Sequence, residues 1–226
     1  APSRGTVNEL ALTSGIAFHT VTSCDLANRA FQCEATVVIG GSPHEFYVSR
    51  SAVYVWAIES WSGRQVSSMV YRIPVGGAPP TALRVRGTPF NHFSFLEADG
   101  ALQVVVANRT GSDESQYDPA IAVSLLRVGL RRFGNGSTRA PESSYSSLLN
   151  CESGGVENRF IDQYLLVSCA RMPTDTVPGA TSTVSVSRWA APSPVEIETP
   201  LLVSRIEPLG THAVLAGPSR GDTPDL

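Results

Sequence analysis

Between His92 and Asn108 apolar and polar positions alternate, with Phe93 and Phe95 before an Ala98-Asp99-Gly100 corner and Leu102, Val104 and Val106 after it. Apolar residues at every second position present one face to a core, and an Asp-Gly pair supplies the backbone torsions of a tight turn. The stretch is therefore predicted to be a β-hairpin. The pattern returns as EFYVSRSAVYVWA at 45–57, NRFIDQYLLVSCA at 158–170 and SRIEPLGTHAVLAG at 204–217. In this alignment Phe46, Phe93, Phe160 and Ile206 are equivalent, separated by 47, 67 and 46 positions, and each is expected to be buried in its own sheet.

Each of the first three hairpins is followed by a third apolar strand that carries an arginine: Arg72 in VYRIPV (70–75), Arg127 in SLLRVGL (124–130) and Arg188 in VSVSRW (184–189). A fourth strand follows at TALRVRG (81–87) and PVEIETP (194–200), whereas RRFGNGSTRAPESSYSS (131–147) shows no alternation and no strand is placed there. Four antiparallel strands per repeat predict an all-β β-propeller with four-stranded antiparallel blades. About four blade units are expected: a partial unit at 10–41, units at 45–87, 91–133 and 157–200, a partial unit at 201–217 and a tail at 218–226. The arrangement favours part of a larger ring. The alternative is a compact ring closed by antiparallel pairing of the 212–216 strand with the 16–21 segment.

The segments at 45–57 and 70–75, and above all GTPFNHFSFLEADGALQVVVANRTG at 87–111, resemble the secreted bacterial β-propeller family distantly related to WD-repeat proteins. The resemblance rests on Phe90, the Phe93-Ser94 pair, the Asp99-Gly100 turn and the apolar strand 102–107. It implies that one blade closes and the next opens here, in a domain longer than this chain, and it brings no catalytic motif.

Composition narrows the partners. A formal net charge of −3 over 226 residues lacks the basic footprint of a nucleic-acid binder, and no apolar run is long enough for a membrane span. All 17 basic residues are arginine. The four cysteines allow three connectivities. A hairpin would bring Cys24 within bonding range of Cys33, and Cys151 precedes a hairpin whose second strand ends at Cys169, so those two bonds are expected, and an even count favours an oxidising, extracellular or periplasmic location.

Candidate chemistry is sparse. No nucleophile elbow, metalloprotease helix or nucleotide loop is present. Asp113, Glu114 and Asp118, in the loop GSDESQYDP, are the residues that would meet calcium, but the loop lacks the spacing of a wrapped calcium site and reads as a solvated blade loop; no other cofactor is implied. Asn108-Arg-Thr and Asn135-Gly-Ser match the glycan acceptor pattern, and Arg220-Gly-Asp matches an adhesion tripeptide that is common by chance. Superposing the repeats places Glu45, His92, Arg159 and Arg205 in one row, expected to line the ring as a polar seam. The function expected is a secreted, non-catalytic scaffold for a protein or glycan partner. The alternative is a hydrolase or lyase in the propeller funnel, with His92 or His212 as base.

Overall fold

The computed structural model describes residues 16–27, 32–62, 65–109, 121–151, 155–171 and 181–219. Among them, five sheets follow one another along the chain, with three short 3-10 turns and no α-helix. The first pairs β1 (Ala17–Cys24) with β2 (Cys33–Gly40). The second runs β3 (Ser42–Val48), β4 (Ala52–Ser62), β5 (Gln65–Pro74) and β6 (Thr81–Arg86). In the third, β7 (Thr88–Pro89) and β8 (Phe95–Ala98) both pair β9 (Ala101–Arg109), which pairs β10 (Ile121–Gly129). After β10 the chain leaves the third sheet. It adds β11 (Asn135–Arg139) in parallel to β6 of the second sheet, then returns as β12 (Tyr145–Cys151) to the outer edge of β10. The fourth sheet is β13 (Val156–Ile161), β14 (Tyr164–Arg171), β15 (Thr181–Arg188) and β16 (Val195–Thr199). The fifth pairs β17 (Arg205–Leu209) with β18 (His212–Ala216).

The tight turns fall where the sequence places them. Asp99 and Gly100 have φ of 52° and 67°, as a two-residue hairpin loop requires, and Ala98 faces Ala101 across it. Asp162, with φ of 51°, turns β13 into β14. Strand β9 carries the run Val104-Val105-Val106 because both of its faces are covered: Val104 and Val106 enter the layer shared with the second sheet, Val105 the layer shared with the fourth.

Each pair of neighbouring sheets is joined by an apolar layer. Val21 and Val38 meet Val55 and Ile73 between the first and second sheets. Tyr54, Trp56 and Leu83 meet Phe95, Leu102 and Leu126 between the second and third. Val105 and Leu125 meet Leu165 and Val167 between the third and fourth, and Leu166 and Val184 meet Ile206 between the fourth and fifth. Burying a side chain of this size contributes about 1.5–3 kcal/mol, so these layers are the main source of stability.

Both expected disulfides are present. Cys24 and Cys33 face each other across the first hairpin, with Cα atoms 4.0 Å apart. The second bond does more than close a hairpin. Cys151 belongs to the outer strand of the third sheet and Cys169 to the fourth, so it staples two sheets through a shared apolar layer. By restricting the unfolded chain such a bond contributes about 2–4 kcal/mol.

Two expectations fail, and of the two ring arrangements the less favoured one is excluded. Phe46 and Phe93 are 63% and 40% exposed and Phe160 is half-buried, so of the four aligned anchors only Ile206 is buried. Phe93 does not lie in a strand. Asn91 caps a 3-10 turn at His92–Ser94, its side chain accepting from the Phe93 N–H, and the hairpin strand starts at Phe95, which is the buried aromatic. Secondly, the polar stretch 131–147 contains β11 and the start of β12, so the third sheet draws its outer strand from beyond 133. Of the two ring arrangements, the compact one does not form: among the described residues β18 pairs β17 and β1 pairs β2, and the 212–216 strand does not pair with the 16–21 segment. Asp113, Glu114 and Asp118, the tail 220–226 with its Arg-Gly-Asp, and Thr110 of the first glycan acceptor lie outside the described residues.

Candidate functional site

The innermost strands of four hairpins converge on one groove. It has a volume of about 660 Å³ and is lined from β3 by Glu45 and Phe46, from the 3-10 turn by His92 and Phe93, from β13 by Arg159 and Phe160, and from β17 by Pro208. Three members of the sequence-derived row, Glu45, His92 and Arg159, thus stand around a common cavity. The fourth, Arg205, is joined to it at one remove: its Nε lies 2.8 Å from Glu207 Oε1, and the other oxygen of Glu207 accepts from Arg159 Nη2 at 3.4 Å.

The exposure of Phe46 and Phe93 follows from this placement. Phe93 borders the groove from the 3-10 turn, while Phe46, on the Val55 face of the second sheet, borders both the groove and the cavity beside the first sheet. The Arg159 guanidinium lies over the Phe93 ring at 3.7 Å from its centroid, a cation–π contact, and its Nη1 is buried with no partner among the described residues. The His92 ring packs against Phe93 with centroids 3.9 Å apart. Glu45 Oε1 accepts from the Phe46 N–H at 3.0 Å. Arg205, by its hydrogen bond, and Arg159, by its charge, hold the Glu207 carboxyl below its ordinary range. The groove therefore combines aromatic faces with anchored charges of both signs.

The histidines that a catalytic reading would use are engaged elsewhere or unassisted. His19 Nε2 donates to the Gly41 carbonyl at 3.1 Å, and His44 Nε2 donates to the Pro89 carbonyl at 2.8 Å. His212 meets the hydroxyl of Thr211 at 3.4 Å and lies outside the groove. Among the described residues no group of three His, Cys, Asp or Glu side chains is placed to hold a metal ion.

One polar cluster escaped the sequence altogether. Glu97 of β8 reaches across to the β3–β4 turn of the neighbouring sheet, where it accepts from Ser49 Oγ and Ser51 Oγ at 2.6 Å and from the Tyr54 hydroxyl at 2.7 Å. Arg72 stands behind these donors, 3.2 Å from Ser51 Oγ and 3.3 Å from the Tyr54 oxygen. Burial acts to raise the Glu97 pKa, but the three hydroxyls and Arg72 outweigh it and hold the carboxyl below its usual value. Burial and the bond to Glu97 push the Tyr54 hydroxyl well up, so it stays a donor.

Arg72 also explains the arginine repeat. Arg72, Arg127 and Arg188 sit opposite Tyr54, Gln103 and Tyr164 in their third strands. Cross-strand partners share a face, and each of these faces is turned toward the following sheet. Arg72 serves the Glu97 clamp to the third sheet, and Arg127 donates to the Ala190 carbonyl of the fourth at 3.2 Å. Arg188 is exposed beside the two-stranded fifth sheet.

No curated protein and no solved structure matches the chain. The family model described as Beta propeller domain matches residues 5–147, which contain the first three sheets apart from the last residues of β12. Repeated antiparallel sheets packed face to face, with their inner strands meeting at one groove, agree with that match: the chain belongs to the beta propeller domain family.

Proposed function

We propose that the chain is a secreted, non-catalytic scaffold and that the groove at the inner strands is its recognition surface for a protein or glycan partner. The carrying observation is that four hairpins far apart in sequence each contribute side chains to one cavity, and that those side chains are Phe46, Phe93 and Pro208 beside Glu45, His92 and Arg159. Exposed aromatic faces with nearby charges are what a sugar ring or a peptide side chain stacks and bonds to. The two disulfides support an oxidising compartment. In this reading the five sheets are consecutive blades of a larger ring.

The test is binding to glycan and peptide arrays by the chain and by its Phe93→Ala and Arg159→Ala variants, with circular dichroism to show that the fold is retained. Ligands captured by the unaltered chain are expected to lose at least roughly tenfold in affinity to either variant. Capture that both variants leave intact, but that substitutions on the outer strands abolish, would place recognition elsewhere.

A further inference from the structure

Strand β3, the innermost of the second sheet, borders the groove with an open edge. Among the described residues it pairs only β4, and two observations fix the direction of its main-chain groups. Ser49 N donates to Ala52 O at 2.9 Å, which makes Ser49 and Ala52 a hydrogen-bonded pair; by alternation Tyr47 bonds Tyr54, while Phe46 and Val48 turn their N–H and C=O groups away from β4. The Phe46 N–H agrees, since it goes to Glu45 Oε1 at 3.0 Å. Two outward donors and two outward acceptors, two residues apart, thus lie where Phe46 and Val48 are 63% and 59% exposed. Both residues line the groove.

Another wall of the groove carries surplus positive charge. Arg159 and Arg205 share the Glu207 carboxylate, at 3.4 Å and 2.8 Å, and Arg159 Nη1 has no acceptor among the described residues. A second carboxylate can draw Arg159 away at small cost, because Arg205 continues to neutralise Glu207. Among the described residues no asparagine, glutamine, serine or threonine side chain lines the groove, so the hydroxyls of a sugar would meet few partners there.

We propose that the groove takes an extended acidic peptide, which adds as a strand along the open edge of β3. The inference rests on the groove being the recognition surface and commits that surface to peptide rather than glycan. Main-chain groups of alternate peptide residues pair with Phe46 and Val48. Apolar side chains of the peptide continue the face of Phe46 and Val48, and a carboxylate on its other face, the face of Tyr47, takes Arg159. The state of the edge favours a separate peptide over a further strand of the fold. Glu45 closes the Phe46 N–H with its own carboxylate, a charged guard that holds an edge unpaired until a suitable strand displaces it and that a permanent neighbour would make useless.

Fluorescence anisotropy with labelled, N-acetylated octapeptides tests the proposal. Two probes alternate valine with glutamate or with lysine and are amidated at the C-terminus, a third alternates valine with threonine and keeps a free carboxylate, and labelled oligogalacturonate of equal charge represents an acidic glycan. Binding of the glutamate peptide assigns Arg159 to side-chain carboxylates, and binding of the threonine peptide instead assigns it to a chain terminus; the lysine peptide is expected not to bind. Arg159→Ala should weaken the bound peptide roughly tenfold, and so should Val48→Pro, which removes an outward N–H and leaves the β3–β4 ladder intact. Glu45→Ala should tighten it roughly threefold by opening the Phe46 N–H, whereas truncating a side chain that merely contacts ligand would weaken it. Equal binding of the lysine peptide, weaker binding to Glu45→Ala, or no binding of either acidic peptide overturns the proposal. Capture of oligogalacturonate alone, lost in Phe93→Ala, overturns the peptide and leaves the groove as the recognition surface.

Discussion

Replacing Trp56 by alanine is expected to lower stability by about 3–5 kcal/mol, the range for losing a fully packed large aromatic. Trp56 is completely buried in the layer between the second and third sheets, edge-on to Phe95 at 5.9 Å, with Tyr54 and Leu83 in the same layer. Among the described residues its indole Nε1 is buried without a partner, and an unpaired buried donor costs about 1–3 kcal/mol. Trp56→Phe gives up ring volume but removes that orphaned N–H, so it should cost much less than the alanine variant. Urea unfolding of both variants checks the pair. Equal losses would mean that the indole N–H is satisfied in solution.

The second large effect is expected at Glu97. Truncation to alanine leaves the hydroxyls of Ser49, Ser51 and Tyr54 without their acceptor and Arg72 without its counter-charge. Hydrogen bonds to a charged group contribute about 1.5–3 kcal/mol each in favourable cases. Because Glu97 is only half-buried, a loss of about 2–3 kcal/mol in total is expected. The pH dependence has a definite sign. The folded-state pKa of Glu97 is depressed, so the unfolded chain binds the proton more tightly, and the clamp's contribution is present above the unfolded glutamate value of ~4.3. It is lost as pH falls from there through the folded-state pKa. Glu97→Gln should flatten that acid limb in a stability-versus-pH profile, whereas an unchanged limb would show that the clamp does not carry the acid sensitivity.

The fold was legible where a side-chain pattern is local. Asp99-Gly100 and the alternation on either side of it announce a hairpin on their own, and the recurrence of that pattern exposes the repeat. What decides the role of an aromatic is not local. Phe46 and Phe93 have the strand spacing of core residues, yet Phe46 stands on the face toward the first sheet where an open cavity leaves it uncovered, and Phe93 sits in a 3-10 turn set by Asn91. Strand β12, YSSLLNC, has no alternation to mark it in the sequence, because its burial comes from the fourth sheet packed on it and from β10 beside it. Strand β11 pairs through register contacts only at its ends, Asn135 with Ala82 and Arg139 with Arg84, and has no apolar stripe to reveal it.

The candidate site was legible in part for the same reason. Aligning the hairpins puts Glu45, His92 and Arg159 in one row, and these three stand around one groove. Pro208 is one of the groove residues that alignment did not pick out, since nothing about it is unusual until β17 is placed beside β13. The Glu97 clamp joins residues separated by more than 40 positions across two sheets, through Ser49, Ser51 and Tyr54. Of its members only Arg72 is marked in the sequence, through its recurrence with Arg127 and Arg188.

That four hairpins meet at one groove is the claim on which the functional reading stands, and a photo-cross-linker at a single position tests it in the unliganded protein. With p-benzoylphenylalanine in place of Phe93, illumination and peptide mass spectrometry should find cross-links to 45–48 in β3, to Arg159 and Phe160 in β13, and to Pro208 in β17, the residues that share its cavity. Cross-links confined to its own hairpin, 95–109, would contradict the convergence and remove the groove as a site of recognition.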